Sequence, residues 1–285
     1  MGFRIGVRRT ACWTLAVLFS SVGALGASVA AAGPATAEGP LRGIDVSNWQ
    51  GHVDWSAVKS SGRLFAFTKA TEGTSFVDRT LTYNRQAMAA EGLVLRGLYH
   101  FAHPALNSPA EEAQHFLSTV GPLLQGEVPV LDLEVEGGPG VGAWAAEWLN
   151  IVEQATGHTP VLYSNASYLV STPTQALTRY PLWVATWGRN DGNVPARQPN
   201  TDRWDHWTFW QFTSKGSVPG VAGDTDESLF AGSVSDLAFL GQLRPAPGSG
   251  AAADPLGDAL RKALDDLGNS LRSGLSAAAA ASTAR

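Results

Sequence analysis

Short apolar runs recur along the chain, and most close on polar or aromatic residues followed by a turn former. They are RGIDVSNWQG (42–51), LFAFTKATEG (64–73), LRGLYHFAHP (95–104), VPVLDLEVEGG (128–138), TPVLYSNAS (159–167), YPLWVATWG (180–188) and WTFWQFTSKG (207–216). Runs of this length bounded by Gly, Pro, Asn or Ser read as strands. Helical patterns lie between the early ones. Residues 78–91 open on Asp78 and stop before Gly92. Residues 108–120 carry a Ser cap, Pro in the first turn, acids next and Gly121 at the end, and residues 141–156 space Trp144, Trp148 and Val152 as on one helix face. After about residue 187 no long helical pattern remains, and the last third reads as strands joined by Gly, Pro and Asp loops. Strands alternating with helices predict a parallel sheet, and this many units predict an α/β, TIM-like closed barrel. About five strand–helix units should be followed by three strands with short connections.

The fourth run is unlike the others. PVLDLEVEGG (129–138) sets Asp132, Glu134 and Glu136 at every second position of an otherwise apolar segment. In an extended chain alternate side chains share a face, roughly 6–7 Å apart. Val130 and the three acids are thus expected on one face, with Leu131, Leu133 and Val135 on the other. A buried unpaired charge costs several kcal/mol, so carboxylates at such a strand end are either salt-bridged or functional. In barrels of this kind the C-terminal strand ends build the site. Here those ends hold Asp45, Lys69, Glu72, Tyr99, His100, Asp132, Glu134, Tyr163, Trp187 and Gln211, a cleft of acids and aromatics.

Composition adds where the barrel sits in the chain. Arg4, Arg8 and Arg9 precede an apolar stretch and then PATAEGP, the pattern of a secretory signal over residues 1–37 with cleavage after Ala37; Ala32 is a second candidate, and an uncleaved membrane anchor is the competing reading. The single cysteine, Cys12, falls within that segment, so the remainder offers neither disulfide nor thiolate chemistry. Without the segment, 17 basic residues stand against 25 acidic ones, a formal charge of −8, with no basic cluster for nucleic acid. Residues 38–243 would form the barrel. Beyond them RPAPGSGAAADP reads as a linker, and Leu256, Leu260, Leu264, Leu267, Leu271 and Leu275 mark an amphipathic helix within residues 244–285.

With these stretches in order, GIDVSNWQGHVDW (43–55), FTKATEG (67–73), YHFAHP (99–104), LDLE (131–134) and WQFTSKGSVPG (210–220), the chain resembles the glycoside hydrolase family 25 lysozymes over about residues 41–240. The resemblance implies a (β/α)5β3 barrel and a secreted muramidase that cuts the β-1,4 bond between N-acetylmuramic acid and N-acetylglucosamine in peptidoglycan. It implies peptidoglycan glycan strands as partner, no cofactor, and no membrane association once the signal is removed. It also implies Glu134 as general acid/base, Asp132 assisting at the anomeric centre or on the 2-acetamido group, and Asp45 and Asp226 completing an acidic cluster. The family usually shows Asp, any residue, then Asn near the end of the barrel, whereas GDTDESLF (223–230) has Ser228 where the Asn would stand. Lys69, Tyr99, Tyr163, Trp187 and Gln211 are the expected substrate-binding residues. Glycoside cleavage needs one protonated carboxyl and one ionised group, and neighbouring acids push their pKa values apart. Glu134 is the expected donor and Asp132 the expected ionised partner.

Three other readings use the same residues. His100 and His103 with Asp45 could hold a metal, as in a polysaccharide deacetylase. Family 18 chitinases also set acids at barrel strand ends, but their Asp-x-x-Asp-x-Asp-x-Glu run is absent here. An inactive wall-binding module would have lost Glu134 or Asp132, and both are present. In RWDHWTFWQF (203–212) most rings should pack in the core, while Trp187 closes a strand and is better placed for sugar.

Overall fold

The computed structural model describes residues 40–242, Pro173 apart. The proposed signal segment, the linker and the leucine-patterned helix lie outside the described residues. Strands β1 (Leu41–Val46), β2 (Arg63–Glu72), β4 (Leu95–Phe101), β5 (Glu127–Asp132), β6 (Val161–Asn165), β7 (Leu182–Ala185) and β8 (Phe209–Gly216) run parallel, each to the next. The two-residue β3 (Phe76–Val77) only folds back on the end of β2. β9 (Thr225–Phe230) lies antiparallel between β8 and β1 and closes the ring, with Asp45 opposite Asp226. Helices α1 (Trp55–Ser60), α2 (Leu81–Ala90), α3 (Pro109–Val120), α4 (Val141–Thr156) and α5 (Ala166–Ser171) follow the first five barrel strands, and α6 (Val234–Leu240) follows the last. This is the (β/α)5β3 order.

Alternation along the strands sorts two cores. Phe65, Phe67, Val128, Val130, Trp183 and Phe209 fill the barrel, where Phe67 stacks on Trp183 with ring centres 4.1 Å apart. Leu98, Leu131, Leu133 and Leu162 face outward onto Phe116, Trp144 and Trp148 of α3 and α4. The two interior rings of β2 need room from their strand neighbours. Gly43 pairs with Phe65 and Gly97 with Phe67. A Cβ on Gly97 would come within 1.8 Å of the Phe67 ring, so only glycine fits there.

Helix ends follow their local chemistry. Ser108 accepts from Glu111 N while the Glu111 carboxylate accepts from Ser108 N, Pro109 takes the first turn, and Gly121 stops the helix at φ 60°. α4 occupies the residues its pattern predicts. α2 starts later than the Asp78 pattern suggests, because Asp78 works outside the helix. Its Oδ2 accepts from Asn48 N at 2.8 Å and its Oδ1 from Thr80 N at 2.8 Å, tying the segment after β1 to the start of α2. The connections after β6 are not all short either. Residues 186–208 join β7 to β8 without a helix. Asn190 pins them, its Oδ1 accepting from Ser214 N (2.8 Å) and Thr213 Oγ1 (3.0 Å) of β8.

Candidate active site

The acid-bearing run is not strand throughout. β5 ends at Asp132: Leu133 N still donates to the Tyr163 carbonyl of β6 (3.0 Å), but the Leu133 carbonyl accepts from the Ser164 hydroxyl (2.6 Å). The alternation nevertheless survives one step further. Asp132 and Glu134 both line a cleft of about 360 Å³ at the barrel mouth, while Leu133 is buried in the outer core. Glu136 turns to solvent and takes no part in that cleft. Two of the three acids therefore share a face.

Of the ten strand-end candidates, Asp45, Lys69, Tyr99, Asp132, Glu134, Tyr163, Trp187 and Gln211 line this cleft and Glu72 and His100 do not; Asp226, expected from the family resemblance, lines it too. Gln211 orders one wall. Its Nε2 donates to Asp45 Oδ2 at 3.0 Å, and its Oε1 accepts from Tyr163 OH (3.1 Å) and Trp187 Nε1 (2.9 Å). Asp132 Oδ1 is buried yet accepts no hydrogen bond from the protein. Lys69 is the only cation among the lining residues. Its ammonium pairs with Glu72, which also binds His103 Nε2 at 2.9 Å, and lies 4.9 Å from the centre of the Phe101 ring.

Burial without matching cations lifts every acid of the cluster. Desolvation raises Asp45 well above the usual aspartate range, with Asp226 and Glu134 adding repulsion and the Gln211 hydrogen bond opposing it. Asp132 is likewise raised well above that range, by burial first and then by Glu134, against the pull of Lys69. Glu134 is raised by burial and drawn back by Lys69. Burial, opposed by a backbone hydrogen bond, leaves Asp226 at about 6, with repulsion from Glu134 and Asp224 acting upward. Tyr99 and Tyr163 are raised well above 10 by burial and stay neutral hydroxyls. The expectation of an ionised Asp132 beside a protonated Glu134 meets a finding here: Asp132 is the more buried of the two, and burial raises both carboxyls.

The histidines go elsewhere. His100 is fully buried in the helix layer, bonded to Thr71 Oγ1 and Glu112 at 2.8 Å each and stacked on Trp148. His103 is engaged by Glu72, and Asp45 by Gln211, so the three do not converge. Among the described residues no three His, Cys, Asp or Glu side chains gather as a metal site. Ser228, standing where an Asn was expected, accepts the indole N–H of Trp183 at 3.1 Å inside the barrel. Of the aromatic run 203–212, Trp204 and Trp210 are buried, whereas Trp187 is exposed at the cleft. Sequence reasoning missed Trp49, which is 86% exposed on the cleft rim, and Trp183 on its floor. The signal for Trp49 was its place just past the end of β1, where a large ring has no outer layer to pack in.

A cluster of raised carboxyls among aromatic walls at a barrel mouth is suited to acid-catalysed cleavage of a neutral polymer such as a glycan. Comparison with known proteins agrees. The model for glycosyl hydrolases family 25 matches residues 44–221. The chain is 36% identical over 223 residues to lysozyme M1 of Streptomyces globisporus, covering 73% of each chain. It is 30% identical over 240 residues to an N,O-diacetylmuramidase of Arthroderma benhamiae, covering 77% of this chain and 95% of that one. Its fold superposes on the crystal structure of the bacterial lysozyme from Streptomyces coelicolor with a TM-score of 0.64 and 34% identity, over 71% of this chain and 97% of that one. The protein is thus a glycoside hydrolase. It belongs to glycosyl hydrolase family 25.

Proposed function

We propose that this protein is a secreted muramidase, cutting the bond between N-acetylmuramic acid and N-acetylglucosamine of peptidoglycan with retention at the anomeric carbon. The observation that carries the reading is the placing of Glu134 and Asp132 on one cleft, with Asp132 Oδ1 buried and without a protein donor. Glu134 donates its proton to the glycosidic oxygen as the C–O bond breaks. The acetamido oxygen of the sugar being cut attacks its own anomeric carbon, forming a cyclic oxazolinium ion. Asp132 accepts the acetamido N–H and offsets the positive charge. That N–H stabilises the carboxylate form of Asp132, so substrate supplies what the empty cleft lacks. Water then opens the ring, giving its proton to Glu134. The Gln211 frame supports Asp45, Tyr163 and Trp187 as fixed walls around this chemistry.

Mass spectrometry of fragments released from purified peptidoglycan tests the reaction. Muropeptides ending in a reducing muramic acid are expected; intact but deacetylated glycan would overturn the assignment. A substrate lacking the N-acetyl carbonyl should be inert, and a glycosyl ester trapped on Asp132 would replace the acetamido route with a covalent nucleophile. Export is part of the same reading, with the mature chain starting near Glu38 and residues 244–285 dispensable for chemistry. N-terminal sequencing of protein from a culture supernatant, and activity of a chain ending near Leu243 on soluble glycan fragments, check these two points.

A further inference from the structure

We infer that the catalytic cleft continues beyond Glu134 as a leaving-group channel ending at Arg197, where it takes the acidic peptide stem of the glycan's next muramyl unit. The inference rests on the muramidase reading above. Two further cavities adjoin the cleft. One of about 510 Å³ shares Glu134, Tyr163 and Trp187 with it. The next, of about 530 Å³, shares Ala166 and Thr186 with the first of these. Each is of a size that holds a ligand unit.

Asp45, Lys69, Asp132 and Asp226 line only the catalytic cleft, whereas Glu134 lines both it and the adjoining cavity. This division fixes direction. The proton donor must reach the oxygen that joins two sugars, and Asp132 must serve the sugar whose anomeric carbon reacts. The sugar being cut therefore lies on the Asp132 side of Glu134, and the leaving sugar on the Ala166 side. The wall on that side is low, built from Ala166, Ser167, Ala185 and Thr186.

Its frame is held in place. Trp187 is fixed by Gln211, Asn165 caps α5 through Tyr168 N at 2.9 Å, and Trp207 Nε1 donates to Gln198 Oε1 at 2.8 Å beside Arg197. Pro195 and Pro199 stiffen the same segment. At the far cavity the only ionisable group on the wall is Arg197, and it is exposed. A cationic end on a chain of net negative charge matches a peptide carboxylate and adds nothing for a neutral sugar.

Cleavage rates of stem-bearing peptidoglycan and of the same glycan stripped of its peptides by an amidase give the test, as a ratio for each variant. Arg197→Glu should lower the stem-bearing to stem-free ratio of kcat/KM about threefold to tenfold, an effect that shrinks with added salt. Ala166→Trp, which narrows the passage between the two outer cavities, should slow long stem-free chains relative to a disaccharide carrying a small aryl leaving group. A ratio unchanged in Arg197→Glu would overturn the stem assignment. Equal slowing of long chains and aryl glycoside in a folded Ala166→Trp would overturn the channel. Failure of the muramidase reading would look different, since the wild type would then release no fragments with a reducing muramic acid end from either glycan.

Discussion

The two ends of this barrel both bury carboxylates, and they treat them in opposite ways. At the base, Glu127 is fully buried and receives a two-pronged bond from Arg85 (2.7 Å on each oxygen), with Leu124 N donating at 2.8 Å. Further up the wall, Glu227 follows Asp226 on β9 and is also buried, yet it is bonded by Arg63 at 2.6 Å with Arg42 3.5 Å away, arginines from the starts of β2 and β1. At the mouth, Asp45, Asp132, Glu134 and Asp226 share a cleft whose single lining cation, Lys69, is pledged to Glu72. The base spends its arginines to keep charge in place. The mouth withholds them, so its acids are raised above the ordinary carboxyl range. Charge pairing is what separates a carboxyl that holds a fold from one that can do chemistry.

Removing the mouth acids should show the largest effect, and it should fall on rate. Glu134→Gln is expected to lower turnover about 10²- to 10⁴-fold and Asp132→Asn by about 10²-fold or more, with melting temperature held or raised. Assays of muropeptide release alongside thermal unfolding read both quantities; a large stability loss in either variant would erase the contrast. Glu127→Gln should do the reverse. It leaves Arg85 facing a neutral partner and should cost roughly 3–5 kcal/mol in denaturant unfolding, while the folded fraction keeps its turnover.

A smaller effect sharpens the contrast through pH. Asp226 stands at about 6 in the fold against an ordinary 3.8. Between those values the native chain holds more protons than the unfolded one, so this group's contribution falls as pH rises through the window. Asp226→Asn should therefore stabilise the protein by about 1–2 kcal/mol at pH 7, and the gain should vanish below about pH 4. Unfolding curves across that range measure it, and a gain persisting at low pH would point to packing instead. The smallest effect belongs to the rim. Trp49→Ala should raise KM about twofold to tenfold through lost sugar stacking, with unfolding unchanged.

Much of this was legible in the chain because it is local. Caps and stops fixed α3, the spacing of Trp144, Trp148 and Val152 fixed α4, and alternation divided Val130 from Leu131 correctly. Eight of the nine cleft residues could be gathered because parallel strands bring their C-terminal ends to one rim, whereas Asp226, near the start of the antiparallel β9, came only from the family resemblance. Long-range choices were not legible. Nothing near Asp78 reveals that its carboxylate is claimed by Asn48 thirty residues earlier, which delays α2. Nothing near Glu134 reveals that the carbonyl before it is taken by the Ser164 hydroxyl thirty-one residues on. His100 looked like a ligand by spacing, yet its ring sits on the outer side of β4, where Glu112 from α3 takes it. The greater burial of Asp132 than of Glu134 depends on how walls from several strands close around it, which no pair of adjacent residues encodes.

The antiparallel β9 has a further consequence. By reversing direction it starts at the mouth with Asp226 and finishes at the base with Phe230, directly opposite Leu41, the first residue of β1. The first and last strands are thus hydrogen-bonded neighbours, and their outer ends meet on the side away from the acids. Topologically the barrel is nearly a closed circuit, in which the place where the chain enters is one gap among equals. A rearranged gene that joined the β9 end to the β1 start and opened the chain at another base turn, such as that around Gly92, would write the same ring in a different order.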